Sequence, residues 1–431
     1  MSPTVSIESR IGEYVQERRQ QLIALVQELV RIPSENMPPT GAEAACQQYA
    51  ASVLKAAGWE CNLYDLLAVP GLLRHPTFWP GRLYEDRPNL IARRLGRGGG
   101  RSLILTGHMD TVPAGTLPWT RDPFGGEIEN GRLYGRGAND MKAGIATNLF
   151  VAQALAAMDI QLDGDLLIES VVDEEFGGSN GTLAGRLMNY NADAAIVSEP
   201  SHLRVCTGHL GGRTAHITLR APGDILAESG YLAGVVDQLR AVLNWVPEFA
   251  ARRTAKFAAH PVFAGRTAPS SVSVLKVNTG PFATTEPMGV PEVGRVEIFW
   301  LTLPGETQAA VEAEFLDALA GLFSQNAALF TPRPEVEFPL RWLPASIVPP
   351  DASLISEVQH CAGSVLGRPP KLEPIEGPCD AFVFHQFGVP AILWGPTGGN
   401  THGADEYVDI ESLVQSTQAL LLFVCRWCGV H

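Results

Sequence analysis

A set of donor side chains stands out because each follows a short apolar run or opens a helix. His108 and Asp110 form an H-x-D at the end of LILTG, and Asp140 closes the glycine-rich GRGAND. Asp173, Glu174 and Glu175 follow LLIESVV, Glu199 follows AAIVS, and His402 lies in GGNTHGADEY beyond AILWGP. Taken singly, an acidic turn is usually solvated and a histidine after a strand is more often structural than a ligand. Their common placement changes that reading. Two imidazoles and several carboxylates, with no cysteine in these segments, are the N and O donors that suit zinc, manganese or cobalt. A shared carboxylate lets this many donors hold two divalent ions about 3.5 to 4 Å apart, the spacing of co-catalytic hydrolases.

Such residues meet only if the segments before them are neighbouring strands. NLIARR, SLILTGH, DLLIESVV and AAIVSEP alternate with helical stretches from about Met141 to Met158 and near Leu183. That alternation predicts an α/β fold with a mostly parallel sheet covered by helices, whose ligands bind beyond the carboxyl ends of the strands. Upstream, the spacing of Leu22, Leu25, Val26 and Leu29, then of Tyr49, Val53 and Leu54, predicts two helices around the turn-rich PSENMPPTG. The proline-rich stretch from about Val69 to Pro88 reads as a long surface loop.

After Pro200 the texture changes. TAHITLRAP, SSVSVLKVNTG and GRVEIFWLTLPGE alternate apolar and polar residues, with helical runs from about Gly230 to Val246 and from about Gln308 to Phe323. Half-exposed antiparallel strands with helices on one face predict an inserted α+β domain over 207–335, inside a discontinuous catalytic domain formed by 1–206 and 336–431. The α/β pattern returns in AILWGP and closes with a helix from Ile410.

At 431 residues the chain exceeds one ordinary core, and 45% hydrophobic with 18% charged residues is the balance of a folded protein. A net charge of −14 excludes a nucleic-acid backbone or an anionic membrane as the main partner. The N-terminus carries no apolar segment behind a basic start, and nothing later offers about 18 uninterrupted apolar residues, so the expected location is cytoplasmic. Seven scattered cysteines do not form a disulfide framework, and the CxxC of Cys425 and Cys428 sits in apolar LLLFVCRWCGV, where packing is expected.

GHMDTVP, GRGANDMKAG, DEEFGG, SEP and GGNTHGADEYV, in this order with an insertion before the last, resemble the M20 metallopeptidase family. That family includes acetylornithine deacetylase, succinyl-diaminopimelate desuccinylase, aminoacylase-1 and glutamate carboxypeptidases. The resemblance covers the catalytic part and, more loosely, the insertion. It implies two divalent ions per chain, zinc above all with cobalt or manganese as alternatives. Asp140 would bridge them, His108 and Glu199 would complete one site, and Glu175 and His402 the other. Asp110 would accept the free ring N–H of His108, and Glu174 would be the general acid/base in hydrolysis of an amide bond in a small N-acyl amino acid or peptide-like substrate. Asp380, in GPCDAFVFHQFGVP, would either shape the site or start a helix. The insertion would act as a lid and pair two chains into a homodimer.

The match fails in the insertion. Relatives carry a histidine where this chain has TLRAPGDILAESG, near Asp224 and Ile225, an arginine where it has Leu301, and an asparagine near Met288. Arg213, Arg220 and Arg266 are the candidates to replace the missing cation, while His209 and His216 read as structural. A dipeptidase or carboxypeptidase shares the mechanism. A non-catalytic binding protein is the reading from another class, but a mere binder has no need of Glu174 beside every expected ligand.

Overall fold

Four parallel strands form the centre of the first unit. In the computed structural model of the chain, which describes residues 6–222, 234–263, 271–280 and 290–430, strand Leu103–His108 lies between Leu166–Val171 and Ala195–Val197, and Ala391–Leu393 extends the parallel run. Antiparallel strands flank it: Asn89–Arg94 and then Glu60–Tyr64 on one side, Val205–His209 on the other, within a nine-stranded sheet among the described residues. The inner strands are buried on both faces, which is why they read as largely apolar runs rather than alternating ones, and the acid inside them, Glu169, is paired with the buried Arg186. Leu103, Leu105, Ile168, Ile196 and Ile392 pack into one cluster with helices Arg19–Arg31, Ala143–Ala157 and Ile410–Cys428. Ile104, Leu167, Ala195, Val197 and Leu393 face the other way, toward Ala381 and Phe384. Cys425 and Cys428 are buried in the last helix, where burial pushes both thiols up to about 12.

Two upstream readings change. The first predicted helix is two, Ile7–Glu17 and Arg19–Arg31, because the backbone leaves helical geometry at Arg18, a residue that carries no turn signal; Ala44–Ala56 follows. The proline-rich stretch is irregular, as expected, but it does not stay on the surface. Leu72, Tyr84 and Arg87 are buried. Arg87 makes a two-pronged contact with the buried Glu43, and the Tyr84 hydroxyl donates to Asp173 at 2.6 Å. Buried carboxylates require such partners, and this loop supplies them.

The chain divides into two compact units: Met1–Gly208 with Ile347–Ile375 and Cys379–His431, and His209–Ser346 with Glu376–Pro378. The second holds an antiparallel sheet in the order Val272–Asn278, Val293–Thr302, Gly211–Arg220, Glu335–Glu337. Helices Val235–Ala259 and Gln308–Gln325 pack on it around Trp245, Phe249, Trp300 and Phe315, with the Trp300 and Phe315 rings stacked at 4.6 Å. The first of these helices runs through Pro247, where a sequence reading stops it. Burial of Phe249 and Phe257 beyond the proline outweighs the one lost backbone hydrogen bond.

The candidate cations of the insertion are largely engaged. Arg213 is buried, donating to the Leu340 carbonyl and to Glu312. Arg220 lies 3.4 Å from Glu335, His216 is 2.7 Å from Glu297, and His209 is buried with Nδ1 3.0 Å from the Leu210 carbonyl. Leu301 is buried beside Leu210, Phe257, Phe263 and Leu303. Asp224, Ile225, Arg266 and Met288 lie outside the described residues.

Candidate metal centre

The parallel strands deliver the donors at their carboxyl ends. His108 is the last residue of its strand, Glu174 and Glu175 follow Leu166–Val171, and Glu199 follows Ala195–Val197. The His108 Nδ1 lies 2.8 Å from the Asp110 backbone carbonyl, so that nitrogen donates and Nε2 is left to face the Asp140 Oδ1 at 3.1 Å and Glu199 at 3.5 Å. The His402 Nε2 lies 3.3 Å from the other Asp140 oxygen and 3.2 Å from Glu175. Asp140 therefore belongs to two donor sets, His108/Asp140/Glu199 and Asp140/Glu175/His402. Its two oxygens point one to each.

Glu174 enters neither set. Its carboxylate comes 4.0 Å from the His108 Nε2 and is largely buried. Burial, then the neighbouring charges of Asp380, Glu199 and Glu175, hold its carboxyl well above the ordinary value against the opposing pull of His108. Burial likewise raises Glu199, with Asp140 adding to it. His402 is half exposed, and the carboxylates of Asp140 and Glu175 push its imidazole up to about 10. Burial opposes ionisation of Asp140, but hydrogen bonds from His108 and His402 outweigh it and hold that carboxyl far down.

Asp110 does something other than the sequence suggested. Its carboxylate is 3.7 Å from the His108 ring, which is served by the backbone carbonyl instead. The carboxylate accepts the backbone N–H groups of Glu174 at 3.1 Å and Glu175 at 3.0 Å, together with the Asn36 amide at 2.8 Å. It thus holds the turn that presents both glutamates. Asp173, with a left-handed backbone, secures the same turn from the other side through Tyr84, Arg82 and Asn36. Asp380 precedes the helix Ala381–Gln386 and accepts from the Thr182 hydroxyl, a buried charge beside the donors rather than one of them.

The loop to Asp140 has its own support, and sequence reasoning missed it. Gly137 takes a left-handed φ of 77°, and a Cβ there would come within 2.5 Å of Thr111. Glu406 accepts the N–H groups of Gly137, Asn139 and Asp140. In the sequence Glu406 reads as one more acid of ADEY, and no local spacing marks it as a partner for residues far upstream.

These residues fit a pair of cations. Asp140, Glu174, Glu175, Glu199 and Asp380 gather around two imidazoles, and burial with mutual repulsion pushes the carboxyls of Glu174 and Glu199 well above their ordinary value, as crowded acids lacking enough positive charge do. An Nε2 lone pair facing a carboxylate oxygen at about hydrogen-bond distance needs a proton or a cation between them. All donors are N or O, and one carboxylate is common to both sets. The fold and these donors point to a class: a metal-dependent hydrolase, with two candidate donor sets that share one carboxylate at the carboxyl ends of parallel strands.

Comparison with known proteins names the family. Residues 104–426 match Peptidase family M20/M25/M40, and the chain belongs to that family of hydrolases. Over 459 aligned residues it is 26% identical to N-formyl-4-amino-5-aminomethyl-2-methylpyrimidine deformylase of Halalkalibacterium halodurans, with 99% of each chain covered. Over 411 residues it is 28% identical to succinyl-diaminopimelate desuccinylase of Cereibacter sphaeroides, covering 91% of this chain and 94% of that one. Among solved structures, the fold is shared with the Bacillus subtilis YxeP protein, a dinuclear metal-binding peptidase from the M20 family. The two superpose with a TM-score of 0.60 at 17% identity, over 96% of this chain and 99% of that one.

Proposed function

We propose that the enzyme removes an acyl group from the nitrogen of a small molecule, using two divalent ions, zinc foremost, held by His108, Asp140, Glu175, Glu199 and His402. The observation that carries this reading is the position of Asp140, whose two oxygens face the two imidazoles separately. Bound there, the ions supply Lewis acidity that acidifies water and polarises a carbonyl. The protein's own part is proton movement and orientation. Glu174, beside the donors but outside both sets, takes a proton from the attacking water and returns it to the departing nitrogen, which leaves poorly unless protonated. Asp110 keeps Glu174 and Glu175 facing their separate tasks through the N–H groups it holds.

Both curated relatives bear names of enzymes that release an acyl group from nitrogen, and this favours a deacylase over a peptidase. Leu301 stands, buried in an apolar cluster, where the family resemblance places an arginine, and this favours an acylated amine such as the formylated aminomethylpyrimidine of one relative. The second unit serves as lid and, through strand Val272–Asn278 at its sheet edge, as the contact for a homodimer. Among the described residues no helix is long and apolar enough to cross a membrane, and a cytoplasmic enzyme is the reading we adopt.

The test compares Glu174→Gln with Glu175→Gln on zinc-loaded protein, over N-formyl, N-acetyl and N-succinyl substrates. Glu174→Gln keeps both ions by elemental analysis and loses about 100- to 10,000-fold in rate; Glu175→Gln loses metal. Equal metal loss in the two variants, or full turnover by Glu174→Gln, refutes the assignment.

A further inference from the structure

Two loops meet at Glu406. Strands Arg132–Tyr134 and Tyr407–Asp409 pair antiparallel, with Tyr134 opposite Tyr407, so the segments leading to Asp140 and away from His402 lie side by side on one ribbon. The Glu406 carboxylate closes that ribbon. One oxygen accepts the Asn139 N–H at 2.9 Å and the Asp140 N–H at 3.0 Å; the other accepts the Gly137 N–H at 3.0 Å and pairs with the Arg136 guanidinium. Arg136 also donates to the Gly403 carbonyl at 3.1 Å, the Asn139 amide to the Thr401 hydroxyl at 2.8 Å, and the Gly135 N–H to the Glu406 carbonyl at 2.9 Å. Both charged side chains are essentially fully buried. A buried ion pair is weak evidence for stability in itself. Here every bond crosses between the Asp140 loop and the His402 loop.

We infer that Glu406, with Arg136, is a positioning residue that fixes the Asp140 loop against the His402 loop and so sets the geometry of the Asp140/Glu175/His402 set. The inference rests on the two-ion reading above. His108 and Glu199 are placed independently, by the ends of sheet strands, so the set they form with Asp140 is less exposed to loss of the clamp. Supporting groups of this kind contribute about 10- to 100-fold to metal affinity.

The experiment is titration of the metal-free full chain with Co2+, followed by calorimetry and visible absorption, on wild type, Glu406→Gln, Glu406→Asp and, as references, His402→Ala and His108→Ala. Circular dichroism confirms folding at the titration temperature. Glu406→Gln removes the charge and sets an amide against N–H donors. Glu406→Asp keeps the charge opposite Arg136 but withdraws the carboxylate from the three N–H groups. Both are expected to weaken one Co2+ step by about 10- to 100-fold while the other changes much less, in the pattern of His402→Ala rather than His108→Ala. A merely structural role would lower the melting temperature and leave the Co2+ affinity of the folded protein unchanged. A pure charge effect would weaken both steps in Glu406→Gln and spare Glu406→Asp. Either result overturns the clamp, and the Asp variant alone decides should the Gln variant not fold. Wild type that binds no Co2+ would sink the two-ion reading and the clamp with it; normal wild-type binding with unaffected variants sinks the clamp alone.

Discussion

Replacing Asp110 by Asn tests how the Glu174–Glu175 turn is held. The wild-type carboxylate is fully buried and accepts three donors: the Glu174 N–H at 3.1 Å on one oxygen, and the Glu175 N–H at 3.0 Å and Asn36 amide at 2.8 Å on the other. Asparagine is nearly the same shape but turns one oxygen into a donor. The smaller loss places that NH2 against the Glu174 N–H. One hydrogen bond to a charged acceptor, about 1.5 to 3 kcal/mol, then disappears, and a buried N–H left unpaired adds about 1 to 3 kcal/mol. The sum, about 2.5 to 6 kcal/mol, corresponds to a fall in melting temperature of about 4 to 10 °C for a unit of this size. Because the bond lost is the one that positions the proposed base, kcat on a zinc-loaded N-acyl substrate should fall on the order of 100-fold, as expected for a displacement near 1 Å. Thermal unfolding by circular dichroism and Co2+ calorimetry complete the assay. Were the carboxylate acting through the His108 ring instead, the variant would weaken chiefly the His108 step of metal binding and leave the melting temperature near wild type. A melting temperature within about 2 °C of wild type together with an unchanged kcat would refute the reasoning altogether.

Other expectations follow from the second unit. Glu306 is clasped by Arg253 on both oxygens, by Lys256 and by the Leu303 N–H; burial opposes ionisation, but these partners bring its pKa down to about 2. A depressed carboxyl contributes stability that is fully present above the unfolded value near 4.5 and is lost as pH falls toward about 2. The contribution is on the order of 2 kcal/mol once solvent screening is allowed for, so Glu306→Gln should lower stability at neutral pH and flatten its decline between pH 4.5 and 2, read by tryptophan fluorescence; an unaltered acid profile would contradict this. Leu275→Lys places a charge on the exposed edge strand Val272–Asn278, where Val274, Leu275 and Val277 are all exposed, and should convert a dimer to a monomer by light scattering without loss of metal. A wild type that is monomeric at micromolar concentration removes the dimer.

The sequence made the main sheet legible because its inner strands are buried on both faces and therefore read as largely apolar runs rather than alternating ones. His108, Glu174, Glu175 and Glu199 were visible for a related reason: they lie at or just beyond strand ends, where the change from apolar to polar residues is abrupt. What could not be read were partners set by tertiary contact. Nothing in a proline-rich stretch announces that Tyr84 and Arg82 turn inward to Asp173, because that depends on a carboxylate 89 residues beyond Tyr84. The Asp110 carboxylate and backbone carbonyl lie in the same H-x-D, and only geometry shows that the carbonyl serves the histidine while the carboxylate serves the turn. Pro247 marks a break locally, yet the packing of Phe249 and Phe257 carries the helix past it.

The two halves of the candidate site are held by different physics. His108 and Glu199 extend directly from hydrogen-bonded strands whose side chains are packed on both faces, so their positions follow from the sheet. Asp140, Glu174, Glu175 and His402 sit on loops, and each loop is secured by buried charge: Asp110 and Asp173 beneath the two glutamates, Glu406 and Arg136 beneath Asp140 and His402. Buried carboxylates placed around a cluster already rich in carboxylates raise its electrostatic energy. Arginine and backbone N–H groups neutralise the supporting ones, but the donors themselves face one another with two imidazoles as their only cationic partners in either set. On the proposed two-ion reading, divalent cations would relieve the residual repulsion, which would link metal affinity to the stability of the loops that frame the site. That coupling would give the supporting acids a role in metal binding although none of them belongs to a donor set.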